Sequence, residues 1–197
     1  AFHMGKHVIG YEVQKVLSAV DWFKQSSEKD LKIGIAGYNE GGLLAFYSAA
    51  ADKRIDVALV SGYFSSRQKV WDEPIYRNVW GLLSEFGDAE IASLIAPRPL
   101  IIEYSSIPEI IEAVASAEKL GPVGGLPFTG YKGRLGTPPA NFVKAEFNRI
   151  DELTKPGFQT RNLITGPNNA AVPFGSIPAL EKFAQSLGRS SSLAIST

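Results

Sequence analysis

The sequence predicts an α/β domain, a three-layer sandwich around a mostly parallel sheet. Short apolar runs at 31–36, 55–61, 100–104 and 158–164 alternate with segments of helical character, as βαβ units require. The run IDVALVS at 55–61 is apolar at nearly every position, the pattern of a strand covered on both faces. The chain has 197 residues, 45% hydrophobic and 20% charged. That suits one domain with a real core and excludes disorder, collagen-like repeats and coiled coils.

The elements follow in order. In 7–24, Ile9, Val13, Val16, Leu17, Val20 and Phe23 fall on one face of a helix, the spacing of an amphipathic surface helix. A polar stretch at 25–30 ends it. LKIGIA at 31–36 is a first strand, GYNEGG at 37–42 a turn, and LLAFYSAAA at 43–51 a helix of small residues. The second strand, 55–61, leads into an aromatic-rich crossover holding Tyr63, Phe64, Trp71, Tyr76, Trp80 and Phe86, with helices expected at 78–86 and 88–94. Pro97 and Pro99 introduce the strand LIIEY at 100–104, and 108–119 reads as helix. The Gly- and Pro-rich stretch 120–139 reads as a long loop, a kind that is usually functional. Pro138 and Pro139 open a helix that Pro156 and Gly157 stop at 155, since proline is tolerated only in a first turn. A fourth strand at 158–164 and a helix at 176–187 complete the pattern. Ser176 is its expected N-cap, Pro178 lies in its first turn and Gly188 is its C-cap. A single domain over 1–188 results, with a cap-like crossover at 62–95 and a loose tail at 189–197.

Composition narrows the function. Twenty basic and twenty acidic residues give no net charge, so neither nucleic acid nor an anionic membrane is an expected partner. With no cysteine there is no disulfide, thiolate nucleophile or cysteine metal site, and the compartment stays open. No apolar run approaches the ~20 residues of a membrane-spanning helix, and the first ten residues lack the apolar core of a signal peptide. The two histidines, His3 and His7, both lie at the extreme N-terminus and form no recognisable metal site. No metal or cofactor is expected. Lys132 and Arg134 are expected in solvent.

The most informative segment is Gly37-Tyr38-Asn39-Glu40-Gly41-Gly42. A strand enters it and a helix leaves it, the setting of the G-x-S-x-G nucleophile elbow. Glycines flank the third position because so tight a turn leaves no room for neighbouring side chains. The third residue is held in a strained conformation at the sheet's rim, above a helix N-terminus whose dipole favours an anion. A phosphate cradle fits less well, because the Gly-x-x-x-x-Gly-Lys-Ser/Thr pattern is absent.

The chain therefore resembles the α/β-hydrolase fold, most closely its dienelactone hydrolase and acetyl (xylan) esterase-like branch. The resemblance covers the helix before the elbow, the elbow strand, the next strand with its crossover, the Ala-Pro-Arg-Pro-Leu stretch at 96–100 with its apolar strand, and the last strand and helix. It implies a carboxylic ester hydrolase with a Ser-His-Asp triad, and related esterases are often exported. The residues depart from that implication. Asn39 stands at the nucleophile position, and an amide forms no acyl-enzyme. The implied acid falls near Ser105 and Ser106, where the nearest carboxylates are Glu103 and Glu109. The implied histidine falls in TGPNNAAVPFG at 165–175, which has none. Only 36 residues precede Gly37, so the strands that normally flank the elbow strand are missing. Its open edge is expected to be covered by the remainder of a larger protein or by another subunit, since a bare apolar edge aggregates.

The candidate site residues are thus Asn39 and Glu40 at the elbow, with Tyr38, Trp71, Tyr76, Trp80 and Glu103 as candidates for a ligand pocket. Glu40 is either a hydrogen-bonding group or a solvated carboxylate favoured by the helix dipole. Glu103, inside an apolar strand, either pairs with an arginine such as Arg98 or lines the pocket. The aromatics either hold a small ester or sugar or pack the crossover onto the sheet. The leading expectation is a hydrolase-related domain without an intact triad, acting as a binding or supporting module. Its rivals are an active esterase completed by residues outside this chain, or by an atypical Glu40 or Glu109, and a purely structural module.

Overall fold

The computed structural model describes residues 6–26, 31–111, 133–154 and 157–188. Helix α1 (Val8–Ser26) leads to β1 (Gly34–Tyr38), α2 (Glu40–Ala51) and β2 (Val57–Ser61). Two single 3-10 turns, Val70–Asp72 and Ile75–Arg77, then precede α3 (Leu82–Glu85) and α4 (Asp88–Ile95). After β3 (Leu100–Glu103) come the short strands β4 (Ile110–Ile111) and β5 (Arg134–Leu135), then α5 (Ala140–Leu153), β6 (Arg161–Ile164), a 3-10 turn (Pro167–Asn169) and α6 (Ile177–Ser186).

The main sheet has the order β1-β2-β3-β6 with every pair parallel. The register sets Ser61 beside both Tyr38 and Glu103, so the C-terminal ends of three strands share one rim. Side chains alternate across the sheet. Ala58, Val60, Leu100 and Ile102 face a core with Phe46, Ile91, Ile150 and Phe158, under α1, α2, α4 and α5. Val57, Leu59 and Ile101 face the other way, against Ala179, Phe183 and Leu187 of α6 and its end. That makes three layers. The inner strands β2 and β3 are buried along their whole length, as their unbroken apolar runs require. Among the described residues β1 is an open edge of the sheet, with Gly34 and Ala36 exposed.

Most expected elements form, with shifted ends. Three departures have physical causes. The helix expected at 78–86 shrinks to Leu82–Glu85 because Gly81 takes a left-handed φ of 75°. The expected helix at 108–119 gives way, at its start, to β4, whose isoleucines pair antiparallel with β5 across a separation no local pattern shows. Its remainder, most of the 120–139 loop, Lys132, His3 and the 189–197 tail lie outside the described residues. Ser176 occupies the N-cap of α6 without a side-chain cap bond, because its hydroxyl is drawn elsewhere, as described below. His7 caps α1 instead, its Nδ1 accepting the Ile9 N–H at 3.2 Å. Gly188 closes α6 with φ 83°, one position past the C-cap Leu187.

Candidate functional site

The turn between β1 and α2 is fixed by its glycines and by the ladder. A Cβ on Gly37 would lie 1.9 Å from the Gly41 carbonyl oxygen, and one on Gly42 would lie 2.7 Å from that of Ser61. A Cβ on Gly41 would meet nothing within 4 Å. Asn39 sits at φ 52°, ψ −113°, a sparsely populated conformation that costs on the order of 1–3 kcal/mol and persists only where surroundings enforce it. Here its N–H donates to Ser61 O at 2.9 Å, and its carbonyl accepts from Leu43 N–H at 3.1 Å. The turn thus holds residue 39 at the sheet rim, at the N-cap of α2, whatever its side chain.

What meets that side chain is Arg77, buried with its side chain only 5% exposed. The guanidinium donates to Asn39 Oδ1 at 2.8 Å, to Glu40 Oε1 at 2.7 Å and to Glu73 Oε2 at 3.1 Å. Burial works against its charge, but Glu40 and Glu73 outweigh it and hold its pKa above the ordinary value. Tyr76 also donates to Glu40 Oε1, at 2.6 Å, and burial together with that bond pushes its hydroxyl up to about 12. Glu73 is shared. Its other oxygen accepts from Arg67 at 2.8 Å. Arg67 in turn lies over the Tyr63 ring, 4.7 Å from its centroid, and 3.4 Å from the fully buried Asp88. Asp88 accepts the Ser65 N–H at 3.0 Å. Burial pushes its carboxyl up to about 7, with Arg67 pulling the other way. An unbroken chain of polar contacts therefore runs from α4 through the crossover to the elbow. Each member needs the next, because a buried charge without a partner is costly.

Beside this chain lies a cavity of about 70 Å³ between the crossover (Tyr63, Arg67, Glu73, Arg77) and the β4–β5 hairpin with its flanks (Ile107, Arg134, Leu135, Pro138). The hairpin is seated there by Gly133, at φ 75°, where a Cβ would fall 2.2 Å from the Pro74 nitrogen.

The other predicted residues divide. Tyr38 lies at the rim, stacked on Phe174 with ring centroids 5.0 Å apart, and its hydroxyl donates to Ser106 O at 2.7 Å. It thus joins the ends of β1, β3 and the loop after β6. Glu103 is 1% exposed and, among the described residues, pairs with no arginine. One oxygen accepts from Ser61 Oγ at 2.5 Å and Gly175 N–H at 3.1 Å, the other from Ser176 N–H at 2.8 Å and its hydroxyl at 2.7 Å. It ties the sheet to the start of α6. Arg98, expected as its partner, stands at the opposite end of β3, about 16 Å away along an extended strand. There it donates to the carbonyls of Asp52, Ile55 and Ile95. Trp71 and Trp80 are 66% and 85% exposed. They neither line the cavity nor pack on the sheet; Tyr63 and Phe64, ringed around Phe46, do that packing. In the loop where a histidine was implied, the exposed Asn168 and Asn169 take positive φ. Ser105 is buried and bridges to Val172, while Glu109 is exposed.

Sequence reasoning missed Arg67, Glu73, Arg77 and Asp88. The stretch 67–77 also carries Lys69 and Asp72, and no periodicity marks which charges turn inward. Among the described residues, no group of three or more acidic or histidine side chains could hold a metal ion, and no helix is long and apolar enough to cross a membrane.

No family model matches the chain. Over 102 residues it is 35% identical to "Putative hydrolase YtaP" of Bacillus subtilis (strain 168), a stretch covering 48% of this chain and 34% of that protein. The match thus spans about a third of the length of this curated relative. Together with the parallel sheet and its helices on both faces, this likeness makes the fold hydrolase-like.

Proposed function

We propose that the chain is a hydrolase-related domain of the carboxylesterase and dienelactone hydrolase type that binds a small ligand at the elbow rim without hydrolysing it. One observation carries the reading: the elbow position holds an amide, and its oxygen is bonded to a buried guanidinium. A serine nucleophile needs a base within hydrogen-bond reach. At Asn39 the neighbour is Arg77, a group that stays protonated and can only donate. The likeness to a hydrolase supports the scaffold, and the Arg77 contact supports its use for binding.

The test is labelling of the chain with a fluorophosphonate, together with turnover of short-chain nitrophenyl esters. Neither is expected. Asn39→Ser alone is expected to restore no hydrolysis above the buffer rate, because the new hydroxyl would face Arg77 and, among the described residues, no histidine. Measurable turnover by that variant would sink the proposal. The rival, an esterase completed by segments or subunits outside this sequence, draws on the open edge of β1. It predicts that the elbow domain becomes labelled only within a larger assembly.

A further inference from the structure

We propose that the bare edge of β1 pairs with β1 of a second copy of this chain, antiparallel about Ala36, so that a two-fold axis joins two sheets into one. The interface is independent of what binds at the elbow. The backbone comes first. Successive residues of a strand turn their N–H and C=O groups to alternate sides. Ile33 O accepts from Asp56 N–H and Asn39 N–H donates to Ser61 O, so residues 33, 35, 37 and 39 face β2. Gly34, Ala36 and Tyr38 turn theirs the other way, and among the described residues no strand lies there. Such a row is a template for another strand, unless charge or proline guards it. The strand GIAGY has neither. Pairing centred on Ala36 sets Ala36 against its own copy and Gly34 against the partner's Tyr38. Each outward N–H and C=O of the strand then has a partner, and the bulky Tyr38 meets a residue without a side chain.

The flank agrees. The helices on this face pack in the order α1-α2-α4-α5, with α2 over β1 and β2, so α1 is the outermost helix on the side of β1. It runs from the rim, where it meets the turn 75–77, to the foot of β1, where Lys24 Nζ donates to Leu31 O at 3.0 Å. Its outer side is not the polar face of a terminal helix. Val8, Tyr11 and Trp22 share one stripe and are 44%, 46% and 62% exposed. Phe23 continues the face that Ile9, Val13, Leu17 and Val20 pack into the core, yet it is 46% exposed. The two-fold axis reverses the second α1, which brings Trp22 and Phe23 at one end of the helix to Val8 and Tyr11 at the other end of its partner. Charge follows the same direction. Lys32 stands exposed before the strand and Glu40 opens α2 after it, so antiparallel pairing parts the two lysines and turns each towards the acidic end. At ~150–250 Å² for a large aromatic, the exposed parts of Trp22 and Phe23 offer roughly 200 Å² per copy, against ~800 Å² in a standard interface. The strand edges must supply much of the rest, so the dimer is reversible rather than obligate.

The experiment is sedimentation of the 197-residue chain from low micromolar to several hundred micromolar concentration, beside Ala36→Lys, Ala36→Glu and Trp22→Ser. Ala36 and Trp22 are exposed, so each variant should melt with the parent. The parent is expected to show a monomer–dimer equilibrium in the micromolar range and no larger species. Ala36 meets itself at the axis. A36K and A36E should therefore each raise the dissociation constant by about tenfold or more, since like charges directly opposed weaken a strand pair. An equimolar mixture of the two should recover the dimer. W22S leaves the strand untouched and should weaken the dimer by about tenfold, the effect of losing one aromatic anchor. A parent that stays monomeric at the highest concentration would overturn the proposal. So would A36K and A36E dimerising as the parent does, which would place the contact elsewhere. A mixture no tighter than either variant alone would refute the register, and species growing past the dimer would refute closure about a two-fold axis. A monomer whose amides at 34, 36 and 38 exchange slowly would give the edge to another segment and not to a second copy.

Discussion

The elbow turn and the crossover above it meet at Asn39, yet they are held in opposite ways. In the elbow the turn itself is closed by constraints short in sequence, and only the Ser61 carbonyl of the neighbouring strand, which accepts the Asn39 N–H and crowds Gly42, comes from further away. Gly37 faces Gly41, and Leu43 N–H returns to the Asn39 carbonyl. In the crossover the constraints are long. Arg77 reaches back 38 positions to Asn39, Tyr76 reaches back 36 to Glu40, and Asp88 reaches back 23 to Ser65. The elbow's shape therefore needs no particular chemistry at residue 39, since backbone and glycines impose it. The crossover's shape needs all of its charges together. A turn of this kind holds its geometry whatever side chain stands at residue 39.

The comparison breaks most sharply at Gly37. Gly37→Val would place a branched side chain against the Gly41 carbonyl, and the turn cannot yield without lifting α2 off the sheet. A loss of about 3–5 kcal/mol in chemical denaturation is expected, within the range of severe overpacking. Gly41→Ala, where space is open, should change stability by less than about 1 kcal/mol. If both variants lost stability equally, crowding would not be what shapes the turn.

Next in size is an effect confined to the crossover. The Asp88 carboxyl sits at about 7 in the fold against an ordinary value of 3.8, so the folded protein holds this proton more tightly than the unfolded chain. Its stabilising contribution is full below about pH 4. It is lost as pH rises towards 7, by on the order of 4 kcal/mol for a shift of this size. Urea midpoints followed across that interval should show this downward slope in the parent and a flatter profile in Asp88→Asn. A parent profile as flat as the variant's would mean that Asp88 is ionised throughout.

Glu103→Ala tests the rim on the other face of the sheet. It would leave Ser61, Gly175 N–H and Ser176 without their acceptor. A loss of about 2–3 kcal/mol is expected from buried donors left unpaired, with no change in the slope assigned to Asp88. Glu103→Gln, which keeps one acceptor oxygen, should lose less.

The same contrast explains what could be read from the sequence. The inner strands were legible because burial on both faces writes itself as an unbroken apolar run. The elbow was legible because its glycines and its asparagine are adjacent. Helix α6 was legible from Pro178 and Gly188, but the role of Ser176 was not. Its hydroxyl turns to Glu103, 73 positions back, and that preference appears only once β3 and α6 are packed. Strands β4 and β5 were hidden for the same reason, since two-residue strands carry no period of their own. Arg77 was the largest omission. Its three partners belong to α2's first turn and to the crossover itself, and nothing in the spacing of 67–77 separates it from its solvated neighbours. The aromatics of the crossover misled because composition does not record direction: Tyr63 and Phe64 turn inward, Trp71 and Trp80 outward.

The smallest expected effect concerns those outward residues. At 85% exposure, Trp80 contributes little buried area, so Trp80→Ala should shift stability by less than about 0.5 kcal/mol. An exposed indole costs solubility without stabilising the fold, and is free to meet a ligand or another molecule at the surface. Titration with an acetylated sugar discriminates. Affinity lost in W80A but kept in R134Q would assign the sugar to the aromatic surface. Affinity lost in R134Q alone would put the sugar in the cavity, and Trp80 would then be no part of its site.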